Sequence, residues 1–334
     1  MKQPPPRTVR RLVVAPLVVL VCLALTALSP FLLLGALLVD AVRRAGWGTA
    51  RFFAFALVYV AAEAAMIFAL LLLWLGSLFG LLTQKEAIQS AHYALMRAWL
   101  RCLSRAAISL LGLRIAVVDS PEPRPGPILV FGRHAGPGNS LMLIRTLMIK
   151  YGRKPRVVML AFLQWDPVID IVAHRLPSLF IDHDPRHSDR FVEAIGALAQ
   201  GLGPTGAFVL YPEGRDFNEQ LRLRAIAHLR NEGHLAAAEQ AEAMDRVLPP
   251  RHRGPLAAIQ AAPEADVVLF AHTALEEVGP FRTLHRRVPL TRPIQARYWR
   301  IPAQEVPRER DQLIAWLFEW WRTIDAWIDE HATA

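Results

Sequence analysis

Cysteine is scarce in this sequence, with two in 334 residues, Cys22 and Cys102. Two isolated thiols make no disulfide framework, and such usage points to a reducing compartment. Neither Cys-x-x-Cys nor His-Glu-x-x-His occurs. The common zinc-ligand spacings are therefore missing, and no metal is expected. No Gly-x-Ser-x-Gly elbow is present either, which leaves Ser140 a weak candidate for a hydrolase nucleophile. No internal repeat is found, so solenoids and propellers are excluded. Acidic residues are outnumbered, 29 against 38 Lys and Arg, for a net charge of +9. That excess favours anionic partners: lipid headgroups, phosphates or nucleic acid. Without aromatics spaced for base stacking, nucleic acid is not expected.

What is abundant is apolar residue, unevenly spread. Residues 12–82 are almost continuously apolar, while the remainder has the composition of a soluble protein. Residues 1–11 (MKQPPPRTVRR) read as a basic, disordered tail. The run Leu12–Val39 is longer than a signal-peptide core of roughly 7–15 residues, and no small-residue cleavage site follows it. It reads as a retained membrane segment, kinked at Pro30 and closed by Arg43 and Arg44. A second run extends over Phe52–Leu82. About 20 apolar residues cross a hydrocarbon core, so each run is long enough. The positive-inside rule places Arg7, Arg10 and Arg11, and the domain that follows, in the cytoplasm. Arg43, Arg44 and Arg51 form a basic turn that two full crossings would put outside. A hairpin inserted only into the inner leaflet removes that conflict, and both geometries stay open. Glu63, inside the second run, reads as a neutral or paired carboxyl rather than a functional one.

Residues 84–113 carry Ala91, Leu95, Trp99 and Leu103 on one helical stripe, with Arg97, Arg101 and Arg105 recurring every four residues. This reads as an amphipathic linker helix, lying on anionic lipid, packed on the domain, or both. From Arg114 the pattern changes. Strand-like runs at Ile115–Val118, Ile128–Phe131, Arg156–Leu160, Leu179–Ile181, Ala207–Tyr211 and Val267–His272 alternate with helix-like runs at Ser140–Tyr151, Asp189–Gly201 and Asn218–Gln240. Alternation over about 160 residues defines an α/β sheet with flanking helices. A Trp-rich amphipathic helix lies within Ile301–Ala334, either padding the domain or seated at a membrane interface. The organisation expected is a tail (1–11), a membrane helical hairpin (12–83), a linker helix (84–113) and a catalytic α/β domain (114–334).

Two loops carry candidate chemistry. The strand Ile128–Phe131 runs into Gly132-Arg133-His134-Ala135-Gly136-Pro137-Gly138-Asn139-Ser140. Glycines allow close approach of a substrate, and a helix start offers free N–H groups to negative charge. Histidine is the side chain suited to general-base work near neutral pH. The strand Ala207–Leu210 runs into Tyr211-Pro212-Glu213-Gly214-Arg215. Arg215 suits a phosphate and Glu213 a hydroxyl, or the stretch is a capping turn with a solvent ion pair.

In order and spacing, these elements resemble the glycerophosphate acyltransferase family, the membrane-bound lysophosphatidate acyltransferase type. The likeness spans roughly residues 85–275 and the apolar N-terminus. Its first motif, His and four residues then Asp, reads His134…Asn139. Its second, Phe-Ile-Asp-Arg-like, reads Phe180-Ile181-Asp182-His183. Its third, Phe-Pro-Glu-Gly-Thr-Arg, reads Tyr211-Pro212-Glu213-Gly214-Arg215. Its fourth, an apolar strand with proline, reads Val267-Val268-Leu269-Phe270. The resemblance implies a mixed α/β sheet and an O-acyltransferase. His134 would deprotonate a lysophospholipid-like acceptor hydroxyl, which attacks the thioester of acyl-CoA or acyl carrier protein. No cofactor beyond that co-substrate is implied. Glu213, Gly214 and Arg215 would hold the acceptor. His183 stands where an arginine is usual, and Arg186 or Arg190 would take over phosphate binding.

The departures matter to the chemistry. Asn139 brings no charge to the imidazole, and an amide N–H facing it favours the wrong tautomer. Three outcomes stay open: a slow enzyme, recruitment of another carboxylate such as Asp182 or Asp184, or an inactive, membrane-anchored lipid-binding or scaffold protein on the same fold. The threonine of the third motif and the proline of the fourth are absent, which leaves the acceptor headgroup open.

Overall fold

The computed structural model describes residues 3–44, 46–119, 124–136, 138–182, 187–273 and 283–332. The chain divides into two compact units. The first takes in Met1–Arg114, Met159–Asp182 and Pro280–Arg292, and the second Ile115–Val158, His183–Gly279 and Pro293–Ala334.

The first unit is helical. Its N-terminal helix, Arg7–Ala27, and the helix Gly48–Gly76 are each long and apolar enough to cross a membrane. The run Leu12–Val39 is not one kinked segment. It breaks at Leu28, and a separate helix covers Ser29–Arg43 with Pro30 in its first turn. Proline loses nothing there, because first-turn N–H groups have no helical partner. The turn into the next helix is set by Asp40, which is buried. Its carboxylate accepts from the N–H groups of Thr49 (3.2 Å) and Ala50 (2.8 Å), capping Gly48–Gly76 from the preceding helix. Gly48 is required at that point: a Cβ would lie 2.7 Å from the carbonyl oxygens of His285 and Val288.

The basic tail is not disordered throughout, since it is helical from Arg7. Arg10 is buried, and its Nη2 donates to Asp170 Oδ1 at 2.8 Å. Arg11 Nε donates to Asp170 Oδ2, also at 2.8 Å. Burial disfavours the Asp170 carboxylate. Hydrogen bonds from His174, Arg10 and Arg11 overcome this and hold its carboxyl well below the usual range. The N-terminal helix is thus latched to the short helix Pro167–Ala173. Helix Glu86–Leu111 buries Tyr93, Trp99, Leu100 and Leu103 and exposes Arg101 and Arg105, so it packs within this unit as a helix of ordinary amphipathic type. Val42 (84%), Phe31 (73%) and Leu12 (72%) head a large set of exposed apolar side chains on the three N-terminal helices. The short strand β4, Ser178–Ile181, also belongs here.

The second unit holds a mixed sheet built from β1 (Ile115–Asp119), β2 (Ile128–Gly132), β3 (Lys154–Leu160), β5 (Gly206–Leu210), β6 (Asp266–His272) and β7 (Ile294–Ile301), in the order β1-β7-β6-β2-β5-β3. All pairings in this run are parallel except β6 with β7. β2 and β5 are buried at every residue, and β6 at all but Asp266. Strands covered on both faces read as continuous apolar runs rather than alternating ones, which is how ILVF, AFVL and VVLFA stand in the sequence. The helices Ser188–Ala199, Arg253–Ala261 and Arg310–Ala332 accompany the sheet. The last buries Leu313, Leu317, Trp321, Ile324 and Ile328. That stripe at helical spacing pads the domain, as one of the two sequence readings had it.

Candidate active site

Three parallel neighbours place the site. β2 lies between β5 and β6, and its register, Phe131 opposite Leu210 and Gly132 opposite Phe270, brings three strand ends level. Past those ends come His134 from β2 and Tyr211–Asp216 from β5, beside His272, the last residue of β6. The carboxyl ends of parallel strands are where open α/β sheets bind ligands.

Gly132 fixes the first contact. A Cβ there would sit 2.8 Å from Tyr211 Cε1, so only glycine lets the Tyr211 ring lie against β2. The ring then packs beside the His134 imidazole, with centroids 4.6 Å apart and planes tilted 36°. The backbone of His134 is held at both ends: its N–H donates to Glu213 Oε1 at 3.0 Å, and its carbonyl accepts from Phe217 N–H at 2.7 Å. The imidazole keeps 21% of its surface exposed. Its Nδ1 has two neighbours, Asp216 Oδ1 at 2.8 Å and the Asn139 amide nitrogen at 3.0 Å. Among the described residues no hydrogen bond engages Nε2.

Glu213 has a role the sequence did not suggest. It is 2% exposed, and both oxygens are taken, Oε1 by His134 N–H and Oε2 by Leu248 N–H at 3.0 Å. It braces the loop under His134, with no oxygen directed to an acceptor hydroxyl. Burial pushes its carboxyl up to about 7, against the nearby Arg133 charge and the two N–H donors. Gly214 takes a left-handed φ of +71° to close the turn, its N–H donating to Tyr211 O at 3.0 Å. Arg215 is exposed, and Arg251 packs its guanidinium against Gly214. Burial lowers the Arg251 pKa first, and the neighbouring Arg215 charge lowers it further. Two cations thus stand beside this turn.

Arg133 is fully buried. It donates to Arg246 O from Nη2 (2.8 Å) and Nε (3.2 Å), and to His272 O from Nη1 (3.1 Å). Arg246 is itself held by the C-terminal helix, its N–H on Asp325 Oδ1 and its Nη2 on Asp329 Oδ1. The C-terminal helix therefore reaches the floor of the site through one loop.

Of the residues singled out in the sequence, His134, Asn139, Glu213, Gly214 and Arg215 come together here. Arg190 is exposed on helix Ser188–Ala199, and no described contact joins it to the His134 loop. His183, Arg186 and Asp184 lie outside the described residues. Asp182 falls in the first unit. The carboxylate on the imidazole is Asp216, which sequence reasoning missed. The only local signal was its place one residue past Glu-Gly-Arg, in the loop that follows β5.

His272 lies on β6 with no exposed surface, and among the described residues neither ring nitrogen has a hydrogen-bond partner. Burial drives its pKa well below 6.5, helped by the Arg133 and His134 charges. The folded chain therefore keeps this imidazole neutral while the unfolded chain takes up a proton below about pH 6.5. Stability attributable to His272 is full above that pH and falls by about 1.4 kcal/mol per unit below it. Melting of the full chain between pH 7.5 and 5 is expected to show this slope, and His272→Leu to flatten it. An equally steep slope in His272→Leu assigns the acid sensitivity to other groups.

No known family model matches the sequence, and no curated protein does. Among solved structures, the 1-acyl-sn-glycerophosphate (LPA) acyltransferase PlsC from Thermotoga maritima is similar over 86% of this chain and 98% of that chain. The identity is 12% and the TM-score 0.48. A likeness of that order carries no activity across.

Proposed function

We propose that this protein is a membrane-anchored O-acyltransferase. It moves a fatty acyl group from the thioester of CoA or acyl carrier protein to the hydroxyl of a lysophospholipid- or glycerophosphate-like acceptor. The supporting observation is His134, partly exposed at the carboxyl end of β2, with Nδ1 facing a carboxylate and Nε2 unengaged among the described residues. The acceptor hydroxyl gives its proton to Nε2 as its oxygen attacks the thioester carbonyl. Collapse of the tetrahedral intermediate breaks the C–S bond, and the imidazolium returns the proton to the departing thiolate. The acyl group passes directly to the acceptor, with no acyl-enzyme and no cofactor. Arg215 and Arg251 supply positive charge suited to a phosphate on either substrate.

Helices Arg7–Ala27 and Gly48–Gly76 anchor the chain in the cell membrane, with the sheet on the cytoplasmic side. Exposed side chains such as Leu12, Leu17, Leu20, Phe31 and Phe68 support that reading. Contiguous apolar surface of this extent calls for lipid or protein to cover it. Arg7, Arg43 and Arg44 favour an anionic bilayer surface.

The second reading, a lipid-binding scaffold without turnover, is kept by Asn139 alone. Purified full-length protein separates the two. Acceptor-dependent release of CoA thiol from acyl-CoA, across a panel of lysophospholipid and glycolipid acceptors, is expected. Thiol release that ignores the acceptor, or saturable lipid binding with no release, goes against the transferase.

A further inference from the structure

The imidazole of a general base needs a proton held on its far nitrogen, and position 139, where the resemblance leads one to expect a carboxylate, holds an amide. We infer that Asp216 has taken over this task, so that the orienting carboxylate comes from the end of β5 instead of the helix that follows β2. The inference rests on the reading of His134 as the base and adds to it.

Four observations carry it. Asp216 Oδ1 is 2.8 Å from His134 Nδ1, within the range of a charge-assisted hydrogen bond. The segment bearing Asp216 is fixed on both sides. Glu213 holds the His134 N–H, and Phe217 N–H is bound to the His134 carbonyl at 2.7 Å. The Asn139 amide has other work: it is buried, its Nδ2 reaches Arg133 O at 3.4 Å and its Oδ1 accepts from Ser140 Oγ at 3.2 Å. Finally, the two neighbours of Nδ1 make opposite demands. A carboxylate only accepts, so it requires Nδ1–H and leaves Nε2 bare to take a proton. An amide N–H requires a bare Nδ1. The charge-assisted partner is the stronger and the shorter of the two contacts, and the Asn139 Nδ2–H has Arg133 O as its other acceptor. The base-competent tautomer is therefore the one Asp216 selects. Asp216 is a positioning residue.

Its side chain is 61% exposed, so water shares its charge. The effect of removal is accordingly smaller than the roughly 10⁴-fold loss when a buried triad aspartate becomes asparagine. Asp216→Asn is expected to lower kcat by about 10–100-fold and leave the acceptor KM within about twofold. Moving the carboxylate back, in Asp216→Asn with Asn139→Asp, is expected to restore most of the loss. A surface aspartate with no part in the site gives neither effect.

A second measurement does not depend on turnover. Histidine ¹⁵N shifts of the full-length protein in detergent report which ring nitrogen of His134 carries the proton. Nδ1–H is expected in the parent and Nε2–H in Asp216→Asn. If the tautomer moves while no acceptor supports turnover, the pairing stands and the acyltransferase reading fails. If the tautomer is the same in both proteins, or kcat is unchanged in a turning-over Asp216→Asn, the inference is overturned.

Discussion

Replacing His134 by alanine is expected to remove acyl transfer altogether and to leave membrane association as it was. The two halves of that result come from separate parts of the molecule. His134 offers the one imidazole on this loop with a solvent-reachable nitrogen and a carboxylate behind it. Without a base, the acceptor hydroxyl must be deprotonated by water, and general-base assistance is worth about 10²–10⁴-fold by itself. The residual rate then falls near the assay floor. The apolar helices are untouched, because they and Asp170 belong to the first unit and His134 to the second. Flotation with liposomes should recover parent and variant alike, while thiol release should fall at least 100-fold. Residual transfer close to the parent's level removes His134 from the mechanism. Loss of both activity and flotation points to a folding defect, and His134→Gln then replaces alanine as the test.

How far this site could be read from the sequence depends on which forces placed each residue. The strands β2, β5 and β6 were legible because burial on both faces demands continuous apolar runs, and their observed ends fall within a residue of those expected. β7 was missed. Its sequence, IQARYWRI, alternates in the manner of a strand, with Ile294, Ala296 and Tyr298 buried, but Arg297 and Arg300 mask the pattern. Arg300 is neutralised by Asp266 on the neighbouring β6 at 2.7 Å, a pairing between distant stretches of chain. The run Asn218–Gln240 was read as one helix and is two, divided by Gly233 in a left-handed conformation. Within the site, His134 and the Glu213 turn were visible as strand-end loops with unusual glycines. The partnership of His134 with Asp216 was not, because it depends on β2 and β5 being adjacent and in register, and strand order is not written in local pattern. The same limit made Glu213 look like a ligand-facing carboxylate. Only the fold shows its two oxygens turned inward onto the N–H groups of His134 and Leu248.

Arg133→Leu is expected to have the largest effect on stability of any single substitution around the site. The guanidinium is fully buried and satisfies the carbonyls of Arg246 and His272, and its charge lies beside the equally buried carboxyl of Glu213. Removing one member of such a group leaves the others in a low-dielectric interior without compensation, which costs about 3–5 kcal/mol. For a unit of ordinary marginal stability that is a large part of the total. Tryptophan fluorescence melts should register it, since Trp299, Trp316, Trp320, Trp321 and Trp327 all lie in the second unit. The origin of the loss can be separated from simple cavity formation. With the Arg133 charge gone, the Glu213 carboxyl is pushed further above about 7 and takes up a proton. Glu213→Gln supplies that neutral state from the outset. In the Arg133→Leu background it should therefore cost little, whereas alone it breaks an acceptor at either His134 N–H or Leu248 N–H. The two changes should be non-additive by more than about 1 kcal/mol. Additive losses mean that Arg133 acts through the two carbonyls alone, and that the proximity of its charge to Glu213 contributes nothing to holding the loop under His134.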